Sequence, residues 1–272
     1  MAFTDRRVMR MGVSLMKEEQ GAADADWDIE RITLGRNFLR DMESLWAELL
    51  KLAAVVEEAI DQSIRALCDG RFEVTDDLKK RKRALERWEV QIERECVRVL
   101  ALHQPVASDL RRVAAILKIN GDLERLGELS RHIAKRARKL AGDGGVYPIP
   151  QRLESLATAA LAQLHASLDA LTQSDVERAQ AVIAADQRID RDYRAVQKSL
   201  KDEIIRDPSR IDTWLRLVNT ARNLERIADH AAKIAESVIY LKQGHILRQR
   251  PPHTPPETRP GSPPPLTPAP EW

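Results

Sequence analysis

Apolar residues return every three or four positions through six long stretches of this chain, the spacing that keeps a single stripe on one face of an α-helix. Leu39, Met42, Leu45, Trp46, Leu49, Ala53, Val56, Ile60, Ile64 and Leu67 form the first stripe, and Asp69-Gly70 is its stop signal. A second helix carries Leu85, Trp88, Ile92, Cys96, Val99 and Leu100, with Thr75 as its expected N-cap. Pro105 separates it from a third, expected to open at Ser108 with Asp109 in its first turn and to bury Val113, Ile116, Ile119, Leu123, Leu126, Ile133 and Ala137. A fourth helix is predicted over about 151–172, with Leu153, Leu156, Ala160, Leu164, Leu168 and Leu171 on one side. Ser174-Asp175-Val176-Glu177 reads as a capping box for a fifth, whose apolar positions are taken as Ala181, Ile183, Ala184, Ile189, Tyr193 and Val196. Asp207-Pro208-Ser209 breaks the chain again before a sixth helix that ends near Gln243-Gly244.

The breaks divide the pattern into two three-helix units. Residues 1–33 are weakly periodic and read as a flexible arm, with the first long helix starting near Asn37. Residues 34–141 form the first unit, 142–150 a glycine- and proline-containing linker, and 151–245 the second unit. Beyond them, 246–272 holds ten of the fourteen prolines, which excludes helix and predicts a disordered tail of polyproline character. The short connections within each unit favour antiparallel packing.

Composition narrows the class. Hydrophobic residues make up 43%, charged residues 32% and aromatics only 4%, a profile of helical rather than β proteins. A net charge of +2 implies no strong field toward nucleic acid or membrane. The amino terminus lacks the apolar core of a signal peptide, and no apolar run is long enough to span a bilayer. Cys68 and Cys96 stand alone, as expected of reduced core thiols in a cytoplasmic protein. The run Lys79-Lys80-Arg81-Lys82-Arg83 reads as a solvated helix face.

One motif is written twice. Asp122-Leu123-Glu124-Arg125-Leu126-Gly127-Glu128 returns, 101 residues later, as Asn223-Leu224-Glu225-Arg226-Ile227-Ala228-Asp229. In the second copy, Leu217, Ala221, Leu224, Ala228, Ala231, Ala235 and Val238 give a coiled-coil-like seam. Glu225 and Asp229 lie four apart, stacked on one face beside it, as Glu124 and Glu128 do in the first copy. Small Gly127 and Ala228 between the acids leave room for a close approach. Stacked carboxylates repel unless something neutralises them. Three readings follow: a solvated face balanced by nearby arginines, an oxygen-ligand site for Mg, Mn, Ca or ferric iron with Zn less suited, or an acid–base pair. His132 and His230 lie close to the acids, but neither has the Glu-x-x-His spacing of di-iron bundles, and both read as partly exposed polar residues.

The map and the motif together resemble the PhoU family of phosphate-system regulators. Gln104-Pro105-Val106-Ala107-Ser108-Asp109-Leu110-Arg111 resembles the family's Q-P-x-A-x-D-L-R turn, and Leu123–Glu128 and Leu224–Asp229 resemble its twin L-E-R-I-x-D signatures. Ile239-Tyr240-Leu241-Lys242-Gln243-Gly244 resembles the end of its last helix, and the likeness covers roughly residues 36–247. It implies an all-α fold of two tandem three-helix bundles related by a pseudo-twofold. It also implies a non-enzymatic regulator that binds metal (iron, zinc, manganese or magnesium) through Glu124, Glu128, Glu225 and Asp229, with Asp122 and Asn223 as added oxygen ligands. The implied partners are the phosphate ABC transporter's ATPase and a sensor histidine kinase, met by a homodimer that is cytoplasmic, peripheral to the membrane through those partners, uninserted and without nucleic acid. Glu128 stands where the family usually has aspartate, and Lys82 where it often has an acid. A carboxylate-metal enzyme and a purely structural scaffold are the alternatives. The sequence shows no P-loop or nucleophile motif for the former.

Overall fold

The computed structural model describes residues 6–70, 74–142 and 149–244, with side chains defined over 37–70, 82–142 and 149–244. The proline-rich tail and most of the expected linker lie outside the described residues. Within them the chain forms α1 (Arg6–Cys68), α2 (Val74–His103), α3 (Ala107–Gly142), α4 (Gln151–Gln173), α5 (Val176–Arg206) and α6 (Ile211–Gln243), with a single 3-10 turn, Pro208–Arg210, before α6. No strand occurs among the described residues.

The local signals explain most of the boundaries. Gly70 and Gly244 take the left-handed conformation that ends α1 and α6. Asp207 caps the 3-10 turn by accepting from the Ser209 amide at 3.2 Å. Three expectations shift. The first helix starts at Arg6 rather than near Asn37, through a segment that holds no proline to break it. Thr75 and Ser108 fall inside the first turns of α2 and α3 rather than ahead of them. The cap of α5 is Asp175, which accepts from the Arg178 amide at 3.0 Å, whereas Ser174 takes the left-handed conformation that closes α4.

Each triplet packs as a bundle, α1–α2–α3 and α4–α5–α6, and α3 packs on α6 between them. Asp122 meets His230, Lys118 lies over the Tyr240 ring, and Arg111 abuts Gly244. Numbers rise on one helix as they fall on the other, so α3 and α6 run antiparallel, as a pseudo-twofold between the repeats requires. One continuous core runs through both bundles, with Leu123, Leu126, Leu224 and Ile227 fully buried at its centre. Truncating such a leucine to alanine costs about 2–5 kcal/mol. The predicted stripes of α3 and α4 and the seam of α6 are all buried; on α1, only Leu39 is exposed and Trp46 is half-buried. Both cysteines are free thiols, and burial pushes Cys96 up to about 12 and Cys68 to about 11.

On α5 the stripe differs from the expected one. Ala181 and Ala184 face solvent, and the buried face is Ala179, Val182, Asp186, Ile189, Val196 and Leu200. With half-buried Tyr193 this is an unbroken 3-4 seam in which Asp186 and Tyr193 take core-facing positions. No helix among the described residues is long and apolar enough to cross a membrane.

Candidate metal centre

The acid doublets lie on the two central helices, half-buried at the margin of the core. On α6, Glu225 and Asp229 face α5 across the second bundle. An oxygen from each of Asp186, Asp190 and Asp229 comes within 4.8 Å of the other two, and Asp186 is buried. Burial pushes the Glu225 carboxyl up to about 7, with Asp229, Asp190 and Asp186 adding like-charge repulsion and Arg222 opposing it. Behind the cluster, buried Gln163 of α4 directs its amide nitrogen at Asp186 Oδ1, at 3.5 Å, and at the Ala228 carbonyl, at 3.4 Å. Four carboxylates from two helices thus share one corner of the second bundle.

The first bundle holds a related but different group. Glu124 and Glu128 of α3 share it with Glu89 of α2, which is 8% exposed. Burial and then the Glu124 charge push Glu89 up to about 7. Its Oε1 is also the nearest atom a Cβ on Gly127 would meet, at 4.0 Å. Glu128 accepts a hydrogen bond from Arg125 Nη1 at 2.9 Å, and that bond holds its carboxyl below the usual range.

Asp122 and Asn223 precede each doublet by two residues and therefore turn to another face of the helix. Asp122 is 2.8 Å from His230 Nδ1 across the α3–α6 contact. Asn223 is buried, with no partner for its Nδ2 atom. His230 is accordingly a buried residue bonded to Asp122 rather than a partly exposed one, and His132 is exposed. The convergent oxygens therefore come from Asp229 together with Asp186 and Asp190, two residues that the sequence reading passed over. Asp186-Gln187-Arg188-Ile189-Asp190 has the same four-residue spacing as the doublets and was the available signal.

The donor set suits a hard cation. Oxygen-only carboxylate clusters favour Mg, Mn, Ca or ferric iron. A bound cation would offset both the burial and the like-charge repulsion that lift Glu225, and the buried, supported Asp186 would give such a site a fixed wall.

Comparison with known proteins places this geometry. The model of the PhoU domain matches residues 49–137 and again 153–238, one match in each bundle. The phosphate-specific transport system accessory protein PhoU homolog of Pseudomonas aeruginosa is 32% identical over 215 residues, 79% of this chain and 89% of that protein. The homolog of the same description from Aquifex aeolicus is 34% identical over 211 residues, 78% of this chain and 95% of that protein. The crystal structure of PhoU from Pseudomonas aeruginosa superposes with a TM-score of 0.74 at 32% identity, covering 76% of this chain and 100% of that one. The phosphate transport system regulatory protein PhoU from Streptococcus pneumoniae gives 0.70 at 27% identity, covering 78% and 99%. With the doubled domain, the six-helix fold and near full-length relatives in agreement, the chain belongs to the PhoU family.

Proposed function

We propose that this protein is an accessory regulator of phosphate transport that holds uptake and the phosphate-starvation response down when phosphate is plentiful. In this reading it is a non-catalytic adaptor between the ATPase of a phosphate ABC transporter and a sensor histidine kinase. It acts as a cytoplasmic homodimer that reaches the membrane only through its partners. The observation that carries the reading is the end-to-end likeness of both bundles to accessory proteins of phosphate-specific transport systems.

The acid clusters serve this adaptor as cation sites. Asp186, Asp190, Glu225 and Asp229 would hold one ion in the second bundle, and Glu89, Glu124 and Glu128 a weaker one in the first. The bound ion supplies charge neutralisation. The protein's own part is to fix the two helices on either side of it, and with them the surface presented to partners.

Two measurements test the proposal. Deleting the gene should leave starvation genes expressed in phosphate-rich medium, and unchanged expression refutes the regulatory role. Elemental analysis of purified protein should show metal that is lost in Asp186→Ala, Glu225→Ala and Asp229→Ala. Equal metal content in all three variants refutes the ligand assignment.

A further inference from the structure

Through Glu225 and Asp229 the second cluster opens onto a cavity of about 540 Å³ whose remaining walls are Tyr193 and Gln197 of α5 and Val218, Asn219, Arg222 and Arg226 of α6. From this cavity we infer that the second bundle binds a phosphate group directly, seated on Arg222, Arg226 and the Tyr193 hydroxyl and completing the shell of the cation held by the carboxylates. The inference rests on the cation reading of that cluster and extends it from a metal to a metal-linked anion.

The two arginines and the Tyr193 hydroxyl give this wall its donors, while Asn219 spends its amide nitrogen on the Leu215 carbonyl at 2.8 Å. Guanidinium groups only donate, and their planar fork matches phosphate oxygens two at a time. Tyr193 Oη already accepts from Gln197 Nε2 at 2.6 Å, so its own hydrogen is left to point elsewhere. Arg222 lines the cavity together with Glu225 and Tyr193. On the other side lie Glu225 and Asp229, whose carboxylates accept. A ligand that satisfies both sides has negative oxygens for the arginines and can coordinate a cation held by the acids. A tetrahedral oxyanion does both.

The first bundle repeats only part of this wall. On the helix of the doubled motif, the positions 101 residues before Asn219, Arg222 and Arg226 are Lys118, Gly121 and Arg125, so Arg226 recurs and Arg222 does not. Holding a cation needs only the carboxylates, so the added donors of the second bundle call for a second ligand.

Charge makes the binding conditional. Carboxylates without a counter-ion repel an anion, whereas a divalent cation and two guanidinium groups offset their charge. Phosphate should therefore bind the metal-loaded protein and not the metal-free one. Titration calorimetry of the full chain at pH 7.5 with inorganic phosphate, with Mn²⁺ or with chelator, measures this, and Mn²⁺ binding is measured separately in the same samples.

The expected result is phosphate binding only with Mn²⁺. Affinity should fall at least about tenfold in Arg222→Gln, as loss of a charged hydrogen bond implies. Tyr193→Phe should lose less, and Arg125→Gln in the first bundle nothing. Mn²⁺ affinity should survive Arg222→Gln. Tighter binding of adenosine monophosphate than of inorganic phosphate supports the site and identifies a phosphate monoester as its ligand. Mn²⁺ binding without phosphate binding overturns the inference and leaves the cation site standing. Absence of Mn²⁺ binding overturns both. Phosphate binding that is indifferent to chelator or to Arg222→Gln overturns the inference alone.

Discussion

In the first bundle, the helix that faces the acid doublet puts Leu85, Glu89 and Ile92 on its buried seam; in the second, the corresponding helix puts Asp186, Ile189 and half-buried Tyr193 there, with Asp190 beside them. The backbone frame is the same, since both halves match one domain model and pack their helices in the same pairs. The outcome differs. Leu85 and Ile92 belong to the core, so the first cluster is a single buried Glu89 beside two half-buried acids. In the second bundle the corresponding seam carries an acid and a phenol, and three carboxylate oxygens converge. A duplicated scaffold fixes where side chains point, and a few substitutions on its inner seam decide whether that place is core or site.

The comparison breaks most sharply at Leu85. Leu85→Asp adds to the first bundle's seam, four residues from Glu89, a buried acid of the kind that Asp186 is in the second, at a position 6% exposed. Without metal it should destabilise the protein by about 4 kcal/mol or more, through lost apolar burial and an added buried acid among acids. If the seam residue is what separates the halves, Mn²⁺ should restore most of that loss and one more ion should bind per chain. Chemical denaturation with chelator and with Mn²⁺ checks it. A loss that Mn²⁺ does not restore means the halves differ in more than their seams.

A smaller effect unites the halves. Glu89 and Glu225 both titrate near 7 in the folded chain, raised chiefly by burial. A carboxyl with a raised folded value binds its proton more tightly folded than unfolded. Its stabilising contribution is complete below about 4.5 and is lost as pH climbs through about 7. Metal-free protein should thus lose stability from pH 5 to 8, by about 3 kcal/mol at most for Glu89 and less for the more exposed Glu225. Glu89→Gln should flatten the first share and Glu225→Gln the second, and Mn²⁺ should flatten the slope in the parent. Thermal melting across that pH range reads all three.

The fold was legible because its signals are local and repeated. Asp69-Gly70, Pro105, Asp207-Pro208 and Gln243-Gly244 punctuate the helices, and the 3-4 seams of α3, α4 and α6 are nearly pure apolar. The doublets were legible because they recur in register. Asp186 was missed for a physical reason: it occupies an apolar seam position, so a reading that follows hydrophobicity slid to Ala181, Ile183 and Ala184 and lost the stripe. The polar residue that spoils a seam is the one such a reading discards, and here it lines the site. The role of Asp122 was hidden differently. Its partner His230 lies 108 residues away, across a contact that only tertiary packing creates.

That contact is a second place where the halves part. The 101-residue counterparts of Asp122 and His230 are Asn223 and Leu129, so the symmetric position has no such pair. His230→Leu leaves the Asp122 carboxylate, 15% exposed, without its 2.8 Å partner. The expected cost is about 1–3 kcal/mol. Adding Asp122→Asn reproduces the residues of the other side and should recover part of it. A double-mutant cycle by chemical denaturation measures the coupling, and additive losses would mean the pair joins the halves in name only.

The smallest expected stability change is at Arg125, whose guanidinium is bonded to Glu128 at 2.9 Å on an exposed surface. Such surface pairs contribute little, so Arg125→Gln should leave the melting midpoint at pH 7 unmoved. Its effect should appear in binding instead. The bond to Arg125 is the first cause that keeps Glu128 ionised and directed along its own helix. Removing the arginine frees that carboxylate to swing toward Glu89 and Glu124 and takes a competing cation from the group. Mn²⁺ affinity of the first bundle should therefore rise, while that of the second is untouched. This is best measured in an Asp186→Asn, Asp229→Asn background, where only the first site remains. If affinity there falls instead, Arg125 positions Glu128 for the ion rather than competing with it, and the weakness of the first site must lie with the apolar Leu85.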